Sequence, residues 1–166
     1  MACPARRFEM ECRSCGIPHH QNSFCIAIRT VVRSNTVVKK NIIQTDHAPA
    51  AIGPYSQAVQ AGDTLYVSGQ IPIDPATGNI VEGGISEQTE QVMKNIGGVL
   101  EAAGYSYADV VKSTCLLIDM SDFPAFNEVY GNYYSEEPPA RATFAVKGLP
   151  LGVMVEVDAV AVKQSE

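Results

Sequence analysis

The sequence predicts an α+β domain in which one six-stranded sheet carries two helices on a single face. Three observations lead there. Strand-length apolar runs punctuated by Gly, Pro and Asp recur along residues 37–162. Only two stretches show helical spacing. The segments follow the order three strands, helix, strand, helix, two strands, which suggests one sheet with both helices on the same side.

Val37 to Ile43 reads as the first strand, followed by the turn-rich His47-Ala48-Pro49-Ala50. In Ile52-Gly53-Pro54-Tyr55-Ser56-Gln57 the Gly-Pro pair fixes a bend and presents Tyr55 and Ser56 just beyond it. Ala58–Ala61, Gly62-Asp63 and Thr64–Ser68 form a hairpin signature. Ser68-Gly69-Gln70 closes the second of these strands, and a glycine there lets backbone approach a ligand closely. Asp74 to Gly78 is a further turn. Ser86 is placed to N-cap a helix running to about Ala103, with Glu87 and Glu90 near the positive end of its dipole. Val92, Met93, Ile96, Val99, Leu100 and Ala103 recur at helical spacing, and Gly104 follows as the residue that ends the helix. Val110 to Ile118 reads as a buried strand. A second helix is predicted from about Phe123 to Tyr134, with Phe126, Val129, Tyr130 and Tyr133 on one stripe. The last two strands are Arg141–Val146, after Pro138-Pro139, and Val153–Val162.

Charge divides the chain. Its 166 residues carry a net charge of −6, yet residues 1–40 hold seven Lys/Arg against two acids, and residues 41–166 hold five against sixteen. An acidic body argues against a protein that tracks phosphates, because that affinity comes from a basic surface; no nucleic-acid partner is expected. No run approaches the roughly 18 apolar residues of a membrane span. The length suits one domain that buries roughly two thirds of its unfolded surface. Cys3, Cys12, Cys15 and Cys25 lie near the N-terminus, and only Cys115 sits in the body, so the body has no disulfide framework and reads as intracellular. Cys12 and Cys15 with His19 and His20 have zinc-like spacing but lack a second pair at a domain-sized distance, and no metal site is predicted. Residues 1–36 are arginine-rich with scattered Ser and Thr and no long apolar core. They suit an organellar targeting leader better than a secretory signal, with a disordered tail or an alternative translation start as the other readings. The expected compartment is the cytoplasm, or a mitochondrion or plastid where the leader acts.

The chemistry gathers in the last two strands. Arg141 is the only arginine after Arg33, at the mouth of a strand that two prolines keep non-helical. Glu156 and Asp158 are the only charges between Val153 and Val162. A strand so apolar is expected to be buried on both faces, and a carboxylate held there needs a reason. One arginine and one buried carboxylate, on strands that could pair, make a small constellation for binding an anionic substrate and activating water. Two helices of about 18 and 12 residues cover one face of a six-stranded sheet and leave the other open. A partner subunit is the simplest cover for it, which predicts an oligomer with Arg141 and Glu156 near an interface.

These segments resemble the Rid family (reactive intermediate deaminases, YjgF-type proteins), and its RidA-like branch in particular. The similarity spans residues 41–166 and rests on several motifs in order. They are Ala48 through Ala58, Val67-Ser68-Gly69-Gln70, Asp122-Phe123 with Asn127 and Tyr130, Pro139-Ala140-Arg141, and Val155-Glu156-Val157. The resemblance implies a chorismate-mutase-like α+β fold with a mostly antiparallel sheet, assembled as a homotrimer. It implies hydrolysis of 2-aminoacrylate, 2-aminocrotonate and their imine forms, 2-iminopropanoate and 2-iminobutanoate, to 2-keto acids and ammonia, without a cofactor. It also implies roles. Arg141 clamps the substrate carboxylate and Glu156 holds or activates the attacking water. Tyr55, grouped with these two as catalytic, and Ser68 line the pocket, with Gly69 beside the serine and Asn127 at the rim. Where the family often has cysteine two residues after the arginine, this chain has Thr143; its N–H can still bind the carboxylate, but thiol reactivity is lost. Phe144 and Val146, on the other face from Arg141 and Thr143, are expected to anchor their strand in the core.

The chemistry suits these residue types. A guanidinium clamps a carboxylate in a planar, bidentate pair. Imine hydrolysis needs orientation and modest acid–base help rather than a metal or covalent nucleophile, and burial would raise the Glu156 pKa toward neutrality. Each residue also has a plainer reading. Arg141 and Glu156 would make a buried ion pair, Tyr55 a packed turn aromatic, Ser68 a hydroxyl bonded to backbone, and Asn127 a local cap. Asp158 would be a strand-end or interface charge and Cys115 a small core hydrophobe. The alternative function is a non-enzymatic trimeric module that holds small carboxylates with the same arginine. An RNA-cleaving translation inhibitor is disfavoured by the acidic body.

Overall fold

The computed structural model describes residues 38–134 and 136–163. The expected leader, residues 1–36, lies outside them, as do Cys12, Cys15, His19 and His20. Six strands, β1 (Lys40–Ile43), β2 (Ala58–Ala61), β3 (Thr64–Gln70), β4 (Val110–Leu117), β5 (Ala140–Ala145) and β6 (Val155–Val162), appear in the expected order with two helices, α1 (Ile85–Ala102) and α2 (Phe123–Gly131). They form one sheet in the order β1-β2-β3-β6-β4-β5. Every neighbouring pair is antiparallel except β4 and β5.

Local chemistry explains most boundaries. Gly62 adopts φ +61° in the two-residue turn that joins β2 to β3, with Ala61 paired to Thr64 across it. Helix α1 ends as the glycine predicts: Gly104 takes φ +77°, its N–H reaches the Glu101 carbonyl and the Tyr105 N–H reaches Leu100. Its start differs from expectation. The N-cap is Gly84, not Ser86, because the Glu87 carboxylate folds back to accept the Gly84 N–H at 2.9 Å, leaving Ser86 inside the first turn. Helix α2 stops at Gly131, short of Tyr134, where the N–H groups of Asn132, Tyr133 and Tyr134 each turn to the carbonyl three residues back.

The core lies between the helices and one face of the sheet. Val92, Met93, Ile96, Val99 and Leu100 of α1 and Phe126 of α2 pack with Leu65, Val67, Cys115, Leu117, Val155 and Val157 in one buried cluster. Full burial of one such Leu, Ile, Val or Phe stabilises by about 1.5–3 kcal/mol, so this layer carries most of the favourable free energy.

Strand β6 departs from the expectation of burial on both faces. Val155, Val157, Ala159 and Ala161 are buried against the helices, whereas Glu156, Asp158, Val160 and Val162 are half-buried on the opposite face. No layer of described residues covers that face. Registered rows cross it: Ile42, Val59, Tyr66, Val160 and Lys112 form one, and Phe144, Leu116 and Glu156 another. Phe144 is therefore not a core anchor; it stands 53% exposed on the open face, as does Tyr66. Nor do the strands of Arg141 and Glu156 pair. The chain passes from β4 through α2 into a parallel β5, then returns to insert β6 between β3 and β4, so β4 separates the two.

One buried polar side chain fixes the long connection between β3 and α1. Asn95, fully buried on α1, donates to the carbonyls of Ile71 and Ile73 at 3.0 and 2.9 Å and accepts from Gln91 at 2.8 Å. Asn95→Leu removes the amide donor from both carbonyls; that of Ile71 keeps the Ile73 N–H at 2.8 Å, whereas that of Ile73 loses its donor. The substitution should destabilise the protein by about 2–4 kcal/mol in chemical denaturation; a loss below about 1 kcal/mol would show that the asparagine is not what holds this connection.

Candidate active site

The open face carries a built concavity. Between Val67, paired with Ala159, and Gln70, paired with Val157, the β3–β6 ladder shifts register, so that Ser68 and Gly69 together oppose Asp158. A bulge of this kind bends the strand and re-aims its neighbours. Beside it lies a pocket of about 570 Å³ lined by Tyr55, Ser68, Gly69, Glu156 and Asp158, with apolar walls that include Ile52, Tyr66 and Val160. The loop that brings Tyr55 there is tied down by Gln57, whose buried amide accepts the Thr45 N–H at 2.8 Å and donates to the carbonyls of Thr45, Ala48 and Pro49 at 3.0, 3.1 and 2.8 Å. Gln57 went unmarked in the sequence, although an amide closing a run of turn residues is the type of side chain that satisfies such backbone. The Tyr55 ring is 48% exposed, and its hydroxyl accepts the Ile52 N–H at 3.4 Å. The Ser68 hydroxyl donates to the Ser56 carbonyl at 2.7 Å, so its proton is committed to backbone, as the plainer reading has it.

Burial raises the Glu156 carboxyl above the ordinary glutamate value, and the charge of Asp158, two residues along the same face, adds to the rise. The side chain thus stands in a pocket wall with its neutral form favoured by both its burial and its acidic neighbour.

Arg141 lies elsewhere. It pairs in register with Ser113, which is buried on the helix side of β4, whereas Glu156 pairs with Leu116 on the open side. The two side chains are on opposite faces of the sheet, and the constellation expected from sequence does not form within a chain. The Arg141 Nη2 donates to Asn127 Oδ1 at 2.7 Å. Its guanidinium carbon stands 4.7 Å from the Tyr130 ring centre, 5.5 Å from Phe123 and 5.9 Å from Phe126. Helix α2 therefore cradles the arginine. The sequence motifs included Phe123, Asn127 and Tyr130, but their common contact with Arg141 was not apparent from spacing alone. Thr143 lies one pair further along the same face, in register with Cys115. Burial pushes the Cys115 thiol up to about 12 despite the nearby Arg141 charge and Thr143 hydroxyl, so it stays protonated and packs as an apolar group. Beneath the cradle the hydroxyls of Ser113, Tyr130 and Tyr134 are buried without a hydrogen-bond partner among the described residues.

The predicted site residues thus fall into two groups. Tyr55, Ser68, Gly69 and Glu156 share the open-face pocket; Arg141, Asn127 and Thr143 lie on the helix side at the β5 edge. Among the described residues no three His, Cys, Asp or Glu side chains converge as metal ligands, and no helix is long and apolar enough to cross a membrane.

A six-stranded sheet with both helices on one face and a largely apolar pocket holding two carboxylates on the other defines a chorismate-mutase-like α+β protein. Comparison with known proteins narrows the class. Residues 45–163 match the family model described as endoribonuclease L-PSP. A 2-iminobutanoate/2-iminopropanoate deaminase of Mus musculus is 49% identical over 129 residues, covering 78% of this chain and 95% of that protein. A RutC family protein of Pyrococcus horikoshii is 54% identical over 125 residues, covering 75% and 99%. Among solved structures, RidA from an Antarctic Psychrobacter superposes with a TM-score of 0.72 at 49% identity, covering 74% of this chain and 99% of that one. The chain belongs to the Rid (YjgF-type) family, as a RidA-like member.

The raised Glu156 pKa has a measurable sign. The native state holds this proton more tightly than the unfolded chain, so the contribution to stability is full below the ordinary carboxylate range and is lost as pH rises through the raised native value. Glu156→Gln removes that loss. In thermal melts from about pH 4 to about pH 8, the variant should gain on the native protein as pH rises. A stability difference that does not vary with pH would contradict this.

Proposed function

We propose that the protein hydrolyses 2-imino acids and their enamine tautomers, such as 2-aminoacrylate and 2-aminocrotonate, to 2-keto acids and ammonia. We further propose that it does so in sites shared between neighbouring copies of a homotrimer. The observation that carries this reading is the division of the site: one chain offers a cradled guanidinium on one face of its sheet and a pocket with a protonatable carboxylate on the other. A substrate of three or four carbons cannot span a sheet, but it can bridge the Arg141 edge of one copy and the Glu156 pocket of the next. Such a contact joins two different surfaces, which is the kind of interface that closes into a ring. It would also cover the exposed Tyr66 and Phe144.

In this reading Arg141 binds the substrate carboxylate through donors that Asn127 leaves free, and so fixes the imine carbon against the neighbouring pocket. Water adds to that carbon, and Glu156 takes its proton and passes one to the nitrogen. The carbinolamine then collapses to the keto acid, and ammonia leaves. Burial raises this carboxyl above the ordinary glutamate value, which makes its carboxylate a stronger base toward the water proton while leaving it able to return one. Tyr55 and Ser68 shape the pocket around the water, and the Thr143 backbone N–H supplements the arginine. The name of the mouse relative supports the same chemistry. The family model's name refers to RNA cleavage, but five cations against sixteen acids over residues 41–166 give little surface for tracking phosphates.

The test generates 2-aminoacrylate with a serine/threonine dehydratase and follows keto-acid release. The native protein should accelerate release, and Arg141→Ala should lower kcat/KM by about 100-fold, the scale of a lost charge-assisted pair. Arg141→Lys should not restore it. Arg141→Ala and Glu156→Ala, each strongly impaired alone, should recover part of the native activity when unfolded and refolded together, because mixed assemblies contain intact shared sites. No recovery on mixing would refute the shared site. Binding of keto acid without acceleration would favour the non-enzymatic carboxylate-binding module.

A further inference from the structure

Gly69 lies in the bulge that opens the pocket, and its backbone does not require a glycine. It is absent from the residues with positive φ, so any L-residue fits its conformation. What the position lacks is space. A Cβ built there would fall 2.8 Å from Cδ and 3.1 Å from Cγ of Glu156, and closer still to its Oε1. Carbon atoms at optimal contact stand about 3.5–4.0 Å apart, so a methyl group and the present Glu156 rotamer exclude one another. All the nearest obstacles belong to this one side chain. The sequence reading gave this glycine a different task, close approach of backbone to substrate.

We infer that Gly69 is a positioning residue for Glu156: the volume vacated by its missing side chain is the seat of the carboxylate on the pocket wall. A side chain at position 69 evicts Glu156 into the pocket or toward Asp158 while leaving the strand able to form. The catalytic consequence rests on the reading of Glu156 as the group that handles water; the packing consequence does not.

A double-mutant cycle separates the two. Gly69→Ala, Glu156→Ala and the double variant are compared with the native chain by thermal melting and by steady-state keto-acid release from enzymatically generated 2-aminoacrylate. Gly69→Ala should lower Tm by a few degrees when Glu156 is present. It should leave Tm unchanged or higher when residue 156 is alanine, because alanine is then the better strand residue. A single variant that fails to fold, rescued by Glu156→Ala, is the same coupling in stronger form. In activity, Gly69→Ala should reduce kcat by ~10- to 100-fold with KM little changed, the cost of a displaced catalytic group. The double variant should be no slower than Glu156→Ala alone. Equal Tm losses in both backgrounds would overturn the inference whatever the activity. A raised KM in both backgrounds would overturn it in favour of direct substrate contact. Coupled Tm values in a native protein that accelerates nothing would leave the seat intact and remove the deaminase reading.

Discussion

Along β6, successive side chains must point to opposite sides of the sheet, and with β3 and β4 bonded to its two edges the strand cannot rotate to exchange them. Val155, Val157, Ala159 and Ala161 fill the contact with the helices, so Glu156 and Asp158 are carried to the other face whatever their own preferences. The core thereby decides where the acids stand. The bulge at Ser68-Gly69 then decides what they stand beside, since it sets two residues of β3 against one of β6 and opens the wall that receives the Glu156 carboxylate.

The same alternation places Arg141 out of reach. Its strand is the parallel edge of the sheet, and its registry with Ser113 commits the side chain to the helix side. There the guanidinium loses mobility to a bed of three aromatic rings and an amide oxygen. Long arginine side chains give up considerable rotamer entropy when immobilised. In this protein much of that loss is already taken within the folded chain.

Much of this was legible before the structure. The strand and helix order came from apolar periodicity, and Gly62 and Gly104 marked a hairpin and a helix end because each needs a positive φ that the local pattern demands. The open face followed from counting helices against strands. The pairing of β5 with β6 was misjudged because two strands joined by a short link ordinarily form a hairpin, and nothing local reveals that β4 already holds the intervening place. Phe144 was misplaced for a related reason: an alternating strand does not announce which of its faces meets the helices. Glu156, Tyr55 and Ser68 come from three separate motifs and line one pocket, whereas the separation of Arg141 from them is a property of sheet order, and Ser86 is displaced from its cap by a carboxylate three residues beyond Gly84.

Insertion of the final strand into the middle of the sheet has a consequence for biosynthesis. Until β6 has left the ribosome, the meander β1–β3 and the β4-α2-β5 unit each present an unsatisfied interior edge, and no hydrogen bond of the sheet joins them. The nascent chain must carry both half-sheets, with the apolar side of α1 uncovered by Val155 and Val157, until β6 itself has emerged. Closure of the sheet therefore waits for β6 instead of proceeding strand by strand from the N-terminal side.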